Sequence, residues 1–551
     1  MKNKYNDFSR EQLIDKILKL EKERYGLVWE DKEEEVAKRC EVELPLLVED
    51  CSRNIVCDPS LPYNMIIEGD NYHSLYALSF THKKSIDVIY IDPPYNTGKK
   101  KEWKYNDSWV DENDKYRHSK WLSFMSKRLR LAKNLLKKTG AIFISVDNNE
   151  VSQLKLLCDS IFGEQNFCGQ IIWRKKSGGG QTDDFFVTEH EYILCYRRTS
   201  AFKWLDETIP MSSKGYKSED DKGKYRLVKL AKWGTAAKRE DRPTMYFPLK
   251  SPDNKRIYPV APDGNPGRWR VGMKKMKTLI DEKRVEWVKD DDDVWIPYEK
   301  IYYDGDDVKV LKNRSIYYHM AETGDATRLL TKIFGKKDVF ENPKPIELLK
   351  ELLSHSKNSI VLDFFAGSAS TGHAVLEMNK EDGGNRKFIL CTNNENNICT
   401  EVTYPRIKKV IEGYSNVKGI PANLKYYTQT FVPVVTSDND KRELVNRSTE
   451  ILCVAEDCFE KVRMRDNLSD FSIFKSDNKQ LAIIYDEDSI TDCIYFLNEY
   501  VSEQKTIIYV FSYDHTYDAE DFERLYVKFL VKPIPEAIIN VYRKISKMKK
   551  K

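Results

Sequence analysis

The sequence is short of the features that announce a metalloprotein, a secreted domain or a membrane protein. Its 11 cysteines include no CxxC pair, and its 8 histidines fall at no metal-ligand spacing. That removes the zinc-ribbon and zinc-finger classes and points to scattered, reduced thiols. No apolar run comes near the roughly 20 residues that span a bilayer, and no apolar signal region follows Met1. The expectation is a cytoplasmic protein without a membrane partner. A GxGxxG turn is absent as well, which disfavours a dinucleotide-binding fold. Net charge is only +4, so global basicity does not announce nucleic acid.

What the chain does have is length and a local charge surplus. At 551 residues it exceeds one core and suggests two to four domains. Residues 197–314 hold 28 Lys/Arg against 20 Asp/Glu, a surplus of eight that leaves −4 for the remainder. This is a modest footprint for a polyanion.

The stretch that organises the rest is residues 86–98, IDVIYIDPPYNTG. Ile86, Val88, Ile89 and Ile91 read as a parallel strand buried on both faces. Pro93 and Pro94 cannot donate backbone hydrogen bonds and hold φ near −65°, so the strand stops at Asp92 in an open turn. Such a turn, at a strand's carboxyl end, is where open α/β sheets bind ligands. Asp92 and the Pro93 carbonyl offer two acceptors, and Tyr95 offers a flat face beside them. Together they match the exocyclic amino group of an extruded adenine or cytosine. Taken alone, the turn is equally an ordinary loop after a strand.

Asp92-Pro93-Pro94-Tyr95 followed by Asn96-Thr97-Gly98 resembles the amino-group DNA methyltransferases, whose hallmark is [DNS]PP[YFW], and most resembles their adenine-N6 branch. The resemblance to Mod subunits of type III restriction-modification systems covers residues 25–432. It implies a doubly wound, Rossmann-like α/β fold dependent on S-adenosyl-L-methionine. It also implies double-stranded DNA as substrate, a homodimer, and a restriction subunit with helicase and nuclease activity as partner. Asp rather than Ser at position 92 disfavours cytosine. The alternatives are a solitary adenine methyltransferase and a catalytically silent DNA-binding subunit.

Along the chain, residues 1–60 read as an N-terminal helical arm with a helix over 9–24. Residues 61–196 read as the catalytic half of the methyltransferase domain. There the amphipathic helix 119–138 buries Trp121, Met125 and Leu129 and turns Lys127, Arg128 and Arg130 outward, and Thr139-Gly140 ends it. Between these, the aromatic and basic loop with Lys99, Lys101 and Trp103 could grip phosphates or stack on bases. Phe185 or Phe186 could supply the second side of a base stack or belong to the core. Residues 197–314 show no sustained helical or strand period and occupy the place of the family's target-recognition domain. Arg268, Arg270, Lys274, Lys275 and Lys277, with Trp269, are the DNA contacts expected there.

Residues 315–432 carry the cofactor-binding half. Lys344 and Pro345, in NPKP, resemble the family segment that borders S-adenosylmethionine. SIVLDFFAGSAS reads as a strand to Leu362, Asp363 at its end, a tight turn and a helix. The family pattern FAGSGTT maps onto Phe365, Ala366, Gly367, Ser368, Ala369, Ser370 and Thr371, with Ala369 in place of a glycine. Glu395, just past the next strand, is placed to accept from ribose hydroxyls. The catalytic motif precedes the cofactor motif, which is the β-class order of the family. Residues 433–551 read as a small α/β domain for dimer or partner contact.

Overall fold

The computed structural model describes residues 8–22, 29, 33–97, 116–179, 185–204, 207–210, 215–304, 308–354, 356–462, 470–476, 478–499, 505–514 and 516–549. The chain divides into two compact units, Asp206–Asn313 and everything on either side of it. The larger unit is built on one ten-stranded sheet. Its strands are β1 (Glu43–Glu49), β2 (Tyr63–Glu68), β3 (Ile86–Ile91), β4 (Leu136–Val146), β5 (Phe167–Arg174), β6 (His190–Arg197), β7 (Ile316–Tyr317), β8 (Ile360–Asp363), β9 (Lys387–Thr392) and β10 (Asn423–Pro433). They lie in the order β1-β10-β2-β9-β8-β3-β4-β6-β5-β7. From β10 to β4 every neighbouring pair is parallel, while β1 and β6 run antiparallel to their neighbours.

This order follows from residues that must be buried on both sides. In β3, Ile89 and Ile91 enter the core under helices Asn71–Thr81, Arg117–Leu135 and Val151–Phe162, while Val88 and Tyr90 enter the core under Ile346–Leu353, Ser370–Asp382 and Tyr404–Glu412. A continuous apolar strand sandwiched by helices is the parallel-sheet solution. From β3 the chain winds one way to β4, and from β8 it winds the other way to β9. The switch point therefore lies between β3 and β8, and its crevice is at their carboxyl ends.

Several expectations are corrected here. The helix expected over 119–138 ends at Leu135 and β4 begins at Leu136, so Thr139-Gly140 lies inside a strand. A Cβ at Gly140 would stand 2.8 Å from the Asp87 carbonyl oxygen, which makes the glycine a close-approach residue rather than a helix stop. Residues 1–60 are more than an arm: Ala37 and Cys40 sit in the main core and β1 pairs along its whole length with β10. Residues 433–551 carry a five-stranded sheet, but that sheet shares a hydrophobic core with the helices that cover the ten-stranded sheet. Tyr542 donates to the Pro45 carbonyl at 3.0 Å, and its ring lies 5.0 Å from that of Tyr76.

The smaller unit has more regular structure than its sequence period suggests. Strands Val285–Lys289, Trp295–Tyr302, Gly223–Lys229 and Ser218–Asp220 form an antiparallel sheet, and Met273–Asp281 is a helix. Its core gathers Leu230, Phe247, Leu249, Trp269, Met276 and Leu279. Among the described residues of the chain, no helix is long and apolar enough to cross a membrane.

Candidate active site

The turn after β3 is held by side chains from neighbouring elements. Trp121 Nε1 donates to the Pro94 carbonyl at 2.6 Å. Asn96 adopts a left-handed conformation, φ 58°, and its amide donates to the fully buried Glu150. Glu150 also meets His118 Nδ1 at 2.7 Å. Burial pushes the Glu150 carboxyl upward, against the pull of Asn96 and His118.

Fixed in this way, the turn presents Asp92 and Tyr95 to Lys344, which arrives from 252 residues further along. Asp92 Oδ1 accepts from the Tyr95 hydroxyl at 2.6 Å and Oδ2 from Lys344 Nζ at 2.8 Å. Lys344 also donates to Tyr95 Oη at 2.9 Å and lies 3.3 Å from Glu191 Oε2. The other oxygen of Glu191 takes Lys175 at 3.1 Å. Burial opposes the charge of Lys344, but Asp92 and Glu191 outweigh it and hold its pKa above the usual lysine value. The Glu191 carboxyl is likewise held below its usual range by Lys344 and Lys175, despite burial. The sequence places Lys344 beside the cofactor; its charged end meets the Asp92 turn.

The neighbouring strand supplies a second turn. β8 pairs with β3 in parallel register, Val361 opposite Val88 and Leu362 opposite Ile89, so Asp363 and Asp92 stand at adjacent strand ends. Asp363 is 2% exposed, accepts from the Phe365 amide at 3.0 Å and from Thr371 Oγ1 at 2.5 Å, and burial pushes its carboxyl up to about 7. Behind Asp363 the chain passes Gly367 at φ 48° and Ala369 at φ 60°. Ala369 thus stands in the left-handed region that favours the glycine of the family pattern.

Three outside groups clamp this turn. Asn71 Nδ2 donates to the Phe364 carbonyl at 3.1 Å, Thr403 Oγ1 to the Gly367 carbonyl at 2.6 Å, and the buried Arg406 to the Ser368 carbonyl at 3.0 Å. Asn71 is held in turn by Arg128, whose guanidinium also pairs with Glu34 at 2.8 Å. Arg128, expected on the solvated face, is buried and ties the N-terminal segment to the turn. Pro345 is buried at the start of helix Ile346–Leu353.

Glu395 opens a helical turn just past β9, the next strand along, and is half-buried. Asn393 reaches it at 3.5 Å and keeps its own Oδ1 buried without a hydrogen-bond partner. Further along, a cavity of about 350 Å³ opens past the ends of β2 and β9, lined among others by Glu68, Asp70 and Asn394. An orphaned acceptor and a half-buried carboxylate at a crevice fit a ligand rich in hydroxyl and amino donors, as a nucleoside is.

Asp92, Tyr95 and Lys344 are brought into direct contact, and Asp363, Phe365, Ala366, Gly367 and Ser368 stand at the adjoining strand end. Lys99, Lys101 and Trp103 lie outside the described residues. Arg268 is buried, donating to the Ala236 carbonyl at 2.6 Å, and Trp269 is 1% exposed; both belong to the core of the smaller unit, so Arg268 is corrected from a DNA contact to a packing residue. Lys274, Lys275 and Arg270 are exposed, and Arg270 lies 3.9 Å from Glu299. Phe185 and Phe186 are 91% and 88% exposed and pack into no core. Sequence reasoning missed Glu191, Glu150 and Asn393. The signal for Glu191 was an acid inside the otherwise apolar and aromatic strand HEYILCYR.

Residues 86–404, more than half of the chain, match the family model described as DNA methylase. The Mod subunit of the type III restriction-modification enzyme EcoPI from Escherichia phage P1 is 32% identical over 446 residues, covering 71% of this chain and 68% of its own length. The type II methyltransferase M.KpnI of Klebsiella pneumoniae is 33% identical over 380 residues, 66% of this chain and 87% of its own. The StyLTI Mod subunit of Salmonella typhimurium is 33% identical over 379 residues, but this chain spans only 56% of its length. The chain belongs to the DNA methylase family, the family that includes these type III Mod subunits.

Proposed function

We propose that the protein transfers a methyl group from S-adenosyl-L-methionine to N6 of an adenine flipped out of duplex DNA, as the modification and recognition subunit of a type III restriction-modification system. The observation that carries this reading is the juxtaposition at the switch point: the Asp92 turn and the Asp363 turn end adjacent parallel strands, with Lys344 bonded to the first. S-Adenosyl-L-methionine, when bound, supplies a methyl group made electrophilic by its sulfonium. Asp363, the Phe365–Ser368 turn, Glu395 and Asn393 are the residues that would hold it.

The protein's task is then to make a poor nucleophile attack. The lone pair of adenine N6 is delocalised into the ring. Acceptors at Asp92 and the Pro93 carbonyl hold the amino hydrogens so that nitrogen can pyramidalise toward the methyl carbon, which is positioning plus preorganised electrostatics. Flipping the base out costs a few kcal/mol, part of which the Tyr95 ring offsets by stacking. Lys344 and Glu191 keep Asp92 and Tyr95 in place.

The smaller unit, with its exposed Lys274, Lys275 and Arg270, is assigned to target recognition, since Arg reads guanine edges and Lys neutralises phosphates. Kinship with Mod subunits extends the proposal to a cytoplasmic homodimer partnered by a restriction subunit. Expression of the chain alone in a host without adenine methylation, followed by single-molecule sequencing of the DNA, tests the reaction. One sequence motif carrying N6-methyladenine is expected; unmodified DNA or modified cytosine overturns the reading.

A further inference from the structure

Both oxygens of Asp92 are already in use at rest. Oδ1 accepts from Tyr95 and Oδ2 from Lys344, so an arriving amino group has to displace one of them. Lys344 is ill suited to leave. It is buried, and its three ammonium hydrogens face three oxygens: Asp92 Oδ2 at 2.8 Å, Tyr95 Oη at 2.9 Å and Glu191 Oε2 at 3.3 Å. Moving it strands a buried charge.

The Tyr95 hydroxyl has a second acceptor within reach. Its oxygen lies 2.6 Å from Asp92 Oδ1 and 3.1 Å from Glu191 Oε2. A phenol has one hydrogen and can turn it about the C–O bond without moving the ring. The shorter, charge-assisted bond to Asp92 is the resting one. Exposure differs in the same sense: the Asp92 side chain is 28% exposed and that of Glu191 9%. A ligand from solvent therefore meets Asp92, while Glu191 is reached through Tyr95.

Resting on the adenine-methyltransferase reading, we propose that the Tyr95 hydroxyl is a placeholder for the target amino group, which yields Asp92 Oδ1 by turning its hydrogen to Glu191. Glu191 and Lys344 are positioning residues for this exchange. Burial, with Asp92 and Glu191 beside it, holds the Tyr95 phenol well above its usual pKa, so it remains a donor throughout.

The test is a double-mutant cycle on the full chain with a duplex carrying the modified motif. Glu191→Gln is expected to lower kcat about tenfold in the native background and less than twofold in the Tyr95→Phe background, because the phenylalanine leaves no hydrogen to relocate. KM for S-adenosyl-L-methionine is expected to stay within twofold in all four proteins. An equal loss in both backgrounds overturns the placeholder and leaves Glu191 a mere counter-ion of Lys344.

A second measurement covers the case in which Glu191→Gln does not fold. Tyr95→Phe should raise the preference for adenine over purine at the target position, read as a ratio of duplex affinities, since Asp92 Oδ1 is then open to the amine. A reduced or unchanged ratio refutes the proposal. Absence of methyl transfer by the native chain would sink the functional reading itself, which separates the two failures.

Discussion

Lys344→Met separates two roles that the residue could play. Methionine keeps most of the length and the apolar stem of lysine, so the change removes two hydrogen bonds, the ion pair with Glu191 and a charge while sparing most of the packing. If Lys344 serves the catalytic turn, what is lost is the charge-assisted bond to Asp92 at 2.8 Å and the alignment of Tyr95 at 2.9 Å. Hydrogen bonds to charged groups contribute about 1.5–3 kcal/mol, and each 1.36 kcal/mol in the barrier is tenfold in rate. The expected fall in kcat is therefore roughly 10- to 150-fold. Steady-state methyl transfer, with DNA saturating and S-adenosyl-L-methionine varied, reads kcat and KM separately. KM for the cofactor should change less than threefold, and Lys344→Arg should recover part of kcat. A tenfold or larger rise in that KM with kcat nearly unchanged would refute the reasoning and return Lys344 to the cofactor.

Asp92→Ala is expected to abolish methyl transfer while calorimetry still detects cofactor binding; full activity would remove Asp92 from the chemistry. Glu395→Ala should weaken cofactor affinity roughly 10- to 100-fold, the worth of a charge-assisted bond to ribose, and unchanged calorimetric affinity would take it out of the site. An unfolded Asp titrates near 3.9 but Asp363 near 7 in the folded protein, so between those values only the folded state keeps the proton. Asp363 therefore makes stability fall as pH rises through that window, by about 1.4 kcal/mol per pH unit. The difference in denaturant midpoint between Asp363→Asn and native protein should change from pH 5 to pH 7, and parallel behaviour would count against the shift. Ala369→Gly relieves a left-handed alanine, about 1–2 kcal/mol, but removes a buried methyl and loosens the unfolded chain. The melting temperature should barely move, whereas Ala369→Val should lower it sharply.

Where local pattern dictates structure, the sequence was readable. The run IDVIYI is buried throughout because, Asp87 with its Lys137 partner aside, both of its faces are apolar, and two prolines force the chain out of the sheet at Asp92. The turn at Phe365–Ser368 was legible for a similar reason, being small residues between a strand and a helix. Contacts between distant segments were not legible. Arg128 sits between Lys127 and Leu129, two positions before the exposed Arg130, and the partners that make its burial tolerable, Glu34 and Asn71, lie 94 and 57 residues earlier. Lys344 read as a cofactor neighbour because nothing in NPKP reveals which strand end it reaches. In the smaller unit even the eight-residue strand Trp295–Tyr302 buries only Pro297 and Glu299, so no apolar alternation stands out, and Trp269 and Arg268 look like an exposed aromatic and basic patch until Phe247 and the Ala236 carbonyl cover them.

The placing of β10 has a bearing on how the chain is made. Residues 423–433 lie between β1 and β2, so β1 meets its partner strand only 374 residues further along, and β2 meets the earlier of its two partners, β9, 319 residues further along. Pairings this remote in sequence close late. A polypeptide that stops short of β10 leaves β1 without its partner and one edge of β2 open.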